Sequence, residues 1–186
     1  MSAEATPSVL VVCTGNLCRS PLAAALLERE LADAGIEAEI ESAGLAAPFR
    51  LPPDRRLLRV ADEVGLDLSG HRSEMLTLGQ VQRADLVLTM TAEHRRQLEA
   101  LSPDGVARTA PLRSAAWKAQ IMRGRRMPFG EWAARLAADV PAAERPRIDP
   151  SNDIADPIGG PLREYRQMAT EVRSLVSTLV ARWSGR

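Results

Sequence analysis

The sequence predicts an α/β fold in which helices cover both faces of a parallel sheet. Three observations carry this reading. Short apolar, β-branched runs alternate with longer stretches of helical periodicity along the chain. The short runs are apolar at nearly every position rather than at every second one, as in strands buried on both faces. The length, 186 residues, suits a single domain whose core is large enough to need neither disulfide nor metal.

The first strand is Ser8–Val12, which leads into the polar loop Cys13–Arg19. A helix follows, with Ser20 expected as N-cap, Pro21 at the first helical position, Leu22, Ala25, Leu26 and Leu31 on its apolar face, and Gly35 at its end. Ala38–Ser42 reads as the second strand and Pro52–Val64 as an amphipathic helix closed by Gly65. Leu86–Met90 is the third strand, with a helix over Glu93–Leu101 after it, and Val106–Ala110 is a weaker fourth. Beyond Leu112 the pattern changes. Trp117–Arg125 and Glu131–Val140 read as short helices broken by Met127-Pro128-Phe129-Gly130, and Pro141–Pro150 is rich in proline and arginine. The loop Asn152–Pro161 then precedes a long closing helix, Leu162–Trp183. The expectation is one domain over 1–186 with a helical excursion at about 113–150.

Charge and composition narrow the partners. With 24 basic and 24 acidic side chains the formal charge is zero, so neither nucleic acid nor an anionic membrane is expected as a partner. The segment before Val9 is too short and polar for a secretory signal, and no apolar run approaches the ~20 residues that span a bilayer. A cytoplasmic protein is expected. The only cysteines are Cys13 and Cys18 and the only histidines His71 and His94, a set that predicts neither a disulfide framework nor a metal site. No cofactor is expected.

The loop carries the chemistry. Cys13 and Arg19 enclose five residues between a buried strand and a helix start. The backbone N–H groups of Thr14, Gly15, Asn16, Leu17, Cys18 and Arg19 can curl around phosphoryl oxygens while the helix directs its positive end into the ring. Arg19 adds a planar fork for two oxygens. Gly15 permits close backbone approach, and Asn16 tolerates a left-handed conformation. A helix N-terminus beside an arginine favours the thiolate of a cysteine, to which Ser20 can donate. Read alone, the spacing also fits an ordinary buried thiol above a turn. The strand before it and Ser20-Pro21 after it favour the reactive reading.

Val12–Pro21 resembles the low-molecular-weight protein tyrosine phosphatases, whose loop Val-Cys-x-Gly-Asn-x-Cys-Arg-Ser-Pro is matched at every specified position. The similarity continues in Glu41–Gly44, Leu68–Ser73, Ala84–Met90 and Asp153–Pro157, and covers the chain except 113–150. The resemblance implies a three-layer α/β/α fold with a four-stranded parallel sheet and the phosphate loop at the carboxyl end of the first strand. It implies phosphotyrosine hydrolysis through a cysteinyl-phosphate intermediate, on a phosphotyrosine-containing protein. Cys13 would be the nucleophile and Arg19 the transition-state clamp. Asp156, ahead of Pro157, would be the general acid and then base, although an Asp-Pro pair by itself is more often a turn and Asp153 competes nearby. Ser42 and His71 would support Asn16 and Ser20, and Cys18 would protect Cys13 as a reversible disulfide, serve as a small apolar filler under the loop, or both. His94, among Glu93, Arg95 and Arg96, reads as part of a solvated helix face.

Three residues bear on substrate. Leu17 at the pocket rim suits an aryl phosphate, whereas relatives acting on phosphoarginine carry threonine there. Tyrosine phosphatases of the family usually place an aromatic residue after Asp-Pro, where this chain has Ile158. Phe49 is a candidate wall for the substrate ring, and a core or lid residue is an equal alternative. The excursion holds Trp117, Phe129 and Trp132, half of the six aromatic residues, with Arg113, Lys118, Arg123, Arg125 and Arg126. Its aromatics either recognise a partner or, as we expect, pack on the domain. Two other functions fit the loop: an arsenate reductase coupled to an external low-molecular-weight thiol, and a non-catalytic phosphate-binding module.

Overall fold

The structure is a computed structural model that describes residues 6–122, 127–138 and 153–183. The strands are β1 (Ser8–Cys13), β2 (Glu39–Gly44), β3 (Leu86–Thr89) and β4 (Thr109–Pro111). They form one parallel sheet in the order β2-β1-β3-β4. The helices are α1 (Arg19–Asp33), α2 (Arg55–Glu63), α3 (Leu78–Arg83), α4 (Ala92–Leu101), α5 (Leu112–Ile121), α6 (Phe129–Ala137) and α7 (Leu162–Trp183). The order reverses direction at β1, and a crevice at the carboxyl end of such a strand is the usual ligand site of an open parallel sheet. Cys13 is the last residue of β1.

Strand alternation sorts the core into two halves. Val9, Val11 and Cys13 face a large cluster that includes Leu22, Leu26, Leu57, Ala115, Leu136, Tyr165 and Val176, from α1, α2, α5, α6 and α7. Leu10 and Val12 point the other way, onto Val81 of α3 and Leu98 of α4. These are the two helical layers. Tyr165, the single tyrosine, is fully buried in the first, and burial chiefly, with Asp54 adding, raises its pKa to about 12.

Several elements differ from the sequence reading. Helix α2 starts at Arg55, because Pro52-Pro53 leaves Asp54 to cap it by accepting from Arg56 N–H at 2.8 Å. Helix α3 was not foreseen, although Thr77 and Gln80 form a full capping box at its start. The expected strand Val106–Ala110 is instead a 3₁₀ turn, Pro103–Arg108, followed by the three residues of β4. Thr109 locks that turn by donating its hydroxyl to Gly105 O at 2.8 Å. Helix α5 begins directly after Pro111, earlier than Trp117. Arg123, Arg125, Arg126, Pro141–Pro150 and Asn152 lie outside the described residues.

Helices α5 and α6 are built into the main core. Phe129 and Trp132 stack with Trp183 at ring separations of 4.3 and 5.8 Å, joining α6 to the end of α7. Lys118 is buried, and its Nζ donates to Leu136 O at 2.5 Å and to Ala138 O, carbonyls that the end of α6 leaves unpaired. Among the described residues no helix is long and apolar enough to cross a membrane. Trp132→Ala is expected to lower unfolding stability by about 3 kcal/mol, read from the urea midpoint, because it empties a packed aromatic cluster.

Candidate active site

Asn16 sits at the centre of the loop, fully buried, with φ of 53°. This is the left-handed backbone that Asn adopts more readily than most residues. Every polar group of this residue that the loop can use is engaged. Its N–H points at Cys13 Sγ at 3.2 Å. Its Nδ2 donates to Ser20 Oγ and to Ser42 Oγ, each at 2.9 Å, and its Oδ1 accepts from Glu74 N–H at 2.9 Å. Its carbonyl accepts from His71 Nε2 at 2.9 Å, which fixes the proton of that imidazole on Nε2. Ser42 and His71 also face a cleft of about 620 Å³ lined with Pro21, Glu28, Leu68 and Arg83, which excludes the nucleophile.

Ser20 is not the N-cap. Helix α1 begins one residue earlier, at Arg19, with Cys18 in the cap position and no side chain closing it. The hydroxyl of Ser20 is drawn instead to Cys13 Sγ, 3.0 Å away, and to Asn16. Ala43 O is a further acceptor for it at 3.4 Å. The uncapped first turn leaves backbone N–H groups free to face an anion in the loop.

Gly44 ends β2 opposite Cys13. A Cβ there would lie 2.6 Å from Thr14 O and 2.9 Å from Asn16 N, so only glycine lets the strand end touch the loop. The sequence alone gives no sign of this requirement, because it depends on how closely the loop approaches the strand end.

The loop before α7 supplies the carboxylate. Asp156 Oδ2 lies 2.5 Å from Arg19 Nη2, and Ile154 O accepts from Arg19 Nη1 at 3.2 Å. Arg19 is buried, whereas the Asp156 side chain is 40% exposed. Asp153 has different work. Its Oδ1 accepts from Ala92 N–H at 2.8 Å at the start of α4, away from Arg19. Burial chiefly, with the charges of Asp156 and Cys13 adding, pushes the Cys18 thiol well above its ordinary range. Cys18 is therefore held as a neutral thiol.

The structure thus brings Cys13, Arg19, Asp156, Asn16, Ser20, Ser42 and His71 together. Leu17 is partly buried, with its carbonyl accepting from Asp54 N–H at 3.1 Å. Ile158 follows Asp156 closely, its N–H reaching Asp156 Oδ1 at 3.2 Å. Phe49 stands apart, 89% exposed on a loop that Ser73 pins through Pro48 O and Leu51 N–H. His94 is a correction. It is not on a solvated face but 6% exposed, with Nε2 at 2.9 Å from Thr14 Oγ1. Burial and the Arg19 charge lower its pKa to about 4. The apolar periodicity of α4 gave no signal for it, because a histidine among charged neighbours looks solvated. Among the described residues no group of three or more His, Cys, Asp or Glu side chains is placed to hold a metal.

The family model described as low molecular weight phosphotyrosine protein phosphatase matches residues 8–120, more than half of the chain. The chain belongs to this family. Among its relatives, the low molecular weight protein-tyrosine-phosphatase Etp of Escherichia coli K12 is 35% identical over 125 residues, covering 67% of this chain and 70% of that one. A protein-arginine-phosphatase of Geobacillus stearothermophilus is 31% identical over 171 residues, 92% of each chain. The low molecular weight protein tyrosine phosphatase from T. tengcongensis shares the fold at a TM-score of 0.72 and 28% identity, over 94% of this chain and 98% of that one. This low molecular weight phosphatase is a cysteine-based phosphatase, and the reductase and binding-module alternatives are not favoured.

Two outcomes follow from the geometry. Gly44→Ala is expected to lower stability by about 2 kcal/mol and to reduce turnover, since its new methyl group meets backbone rather than a flexible side chain. The second concerns pH. The folded-state pKa of His94, about 4, lies below its ordinary 6.5, so its contribution to stability is full above pH 6.5 and is lost as pH falls towards 4. Over that window the wild type should lose ~2 kcal/mol more than His94→Gln in urea titrations.

Proposed function

We propose that this chain hydrolyses phosphotyrosine in proteins through a cysteinyl-phosphate intermediate. The observation that carries the proposal is the convergence of one thiol, one buried guanidinium and one half-exposed carboxylate on a single backbone ring: Cys13, Arg19 and Asp156. Cys13 attacks phosphorus, its sulfur held by Ser20 Oγ at 3.0 Å and Asn16 N–H at 3.2 Å. The loop amides from Thr14 to Ser20 and the Arg19 fork take the charge that spreads over the phosphoryl oxygens. Asp156 protonates the leaving oxygen and then takes the proton of the attacking water.

In the free site Asp156 rests on Arg19. An entering phosphate competes for the same guanidinium, so binding releases Asp156 from Arg19 and turns it toward the leaving oxygen. Cys18, a buried neutral thiol, does not compete as nucleophile. Its role comes after oxidation, when Cys13 as sulfenic acid condenses with the Cys18 thiol to a disulfide and water.

Substrate choice rests on Leu17, whose apolar side chain at the rim suits an aryl group. Ile158 offers a smaller apolar face, and Phe49 is free to swing against a bound peptide. Phosphoarginine is the second reading, supported by the arginine phosphatase relative that matches 92% of each chain. Turnover of matched phosphotyrosine and phosphoarginine peptides separates the two. The proposal expects the tyrosine peptide to be preferred, with Leu17→Thr shifting preference toward phosphoarginine. Preference of the wild type for phosphoarginine would overturn it.

Cys13→Ser should reduce kcat by roughly 10⁴-fold or more while vanadate binding persists. Asp156→Ala should slow aryl phosphate hydrolysis roughly 10²- to 10³-fold. Steady-state kinetics on 4-nitrophenyl phosphate reads both, and near-normal turnover in Cys13→Ser would refute the mechanism.

A further inference from the structure

His94 and the side chain of Thr14 have no part in the chemistry described above. Thr14 directly follows the nucleophile. Its carbonyl accepts from Ala46 N–H at 2.8 Å, and its hydroxyl exchanges a hydrogen bond with His94 Nε2 at 2.9 Å. His94 belongs to the first turn of α4, whose Ala92 N–H is held by Asp153 Oδ1 at 2.8 Å. Just upstream, Met90 O accepts from Ile154 N–H at 2.9 Å. The start of α4 is therefore fastened to the nucleophile's loop on one side and to the Asp156 loop on the other.

A core histidine with no function is the simplest alternative. It fits poorly, because Nδ1 of His94 is buried and has no hydrogen-bond partner among the described residues. An apolar side chain of similar size would fill the space without leaving that atom desolvated. The charged groups facing the ring are Arg19 from α1, Asp153 and Asp156 from the acid loop, and Glu93 from its own helix. Burial and Arg19 outweigh the carboxylates, so the ring stays neutral near pH 7. A neutral ring acts through its hydrogen bond, not through a proton it gives or takes.

We propose that His94 is a positioning residue which, through Thr14, ties the start of α4 and the Asp153–Asp156 loop to the nucleophile's loop, and so sets the separation at which Asp156 meets the leaving oxygen. The proposal rests on the reading of Asp156 as general acid.

Leaving-group dependence isolates this role. Phenyl phosphate needs a proton on its departing oxygen far more than 4-nitrophenyl phosphate does. A misplaced acid therefore slows the first substrate more, whereas a general loss of structure slows both alike. Asp156→Asn serves as the reference and should show the inequality. His94→Leu and Thr14→Val should reproduce it, losing roughly tenfold or more in kcat on phenyl phosphate and much less on 4-nitrophenyl phosphate, with KM little changed. The double variant should be no worse than the poorer single one, since both remove the same bond. His94→Gln, which keeps a polar atom near the Nε2 position, should recover to within about threefold, with an unaltered pH profile above pH 5. Equal losses on both substrates, or no loss, would overturn the proposal, as would the disappearance of a pH limb in His94→Gln. If Asp156→Asn itself shows no inequality, the acid assignment falls and this inference with it. Should His94→Leu fail to fold, Thr14→Val carries the same comparison, since Thr14 is exposed.

Discussion

The side chain of Asn16 is a three-way joint on which the remaining geometry depends. Its amide links Ser20 at the start of α1, Ser42 in β2 and Glu74 in the loop before α3, while its backbone meets Cys13 and His71. A loop that must present its N–H groups inward cannot use them to hold itself together. The supports therefore come from side chains behind it, and Asn16 collects them at one point. Buried amides of this kind are stable only when all partners are present, because each unpaired polar atom in the interior is costly. Gly44 belongs to the same constraint, since the strand end must come close enough for Ser42 to reach Asn16.

Charge around the nucleophile is arranged so that each group holds a different state. Arg19 is buried and fixed from one side by Ile154 O, which leaves its other nitrogen to choose between Asp156 and an incoming phosphate. Cys18 is kept neutral by burial and by nearby negative charge, and His94 by burial and by Arg19. Both neighbours are thus held neutral. In the proposed mechanism this leaves Cys13 and Asp156 as the groups that carry the chemistry.

Most of the sheet was legible because its strands are continuous apolar runs, and the nucleophile's loop because its residues have few structural reasons to occur together. The acid loop was legible only through family resemblance. Asp156 and Asp153 look alike in sequence, and what separates them is that one reaches Arg19 while the other caps α4. The misread parts are those decided by tertiary contact. Ser20 suits an N-cap until a sulfur atom is placed 3.0 Å from its hydroxyl. His94 looks solvated until Thr14 is folded over it. Helix α3 is only six residues long and carries almost no periodicity, although its capping box was present in the sequence. Trp132 and Phe129 gave no hint of their shared partner, because Trp183 lies at the far end of the chain.

The central claim is that Cys13, held in place by Ser20 and Asn16, forms a covalent bond to phosphorus during turnover. Rapid acid quench of the enzyme with 4-nitrophenyl phosphate, followed by mass spectrometry of the peptide containing residues 13–19, tests it most directly. The account predicts a phosphate adduct on Cys13 that appears with the first release of nitrophenol and decays as water is consumed. Release of nitrophenol at the full steady-state rate with no phosphate on Cys13, including in the slowed Asp156→Ala enzyme, would contradict it.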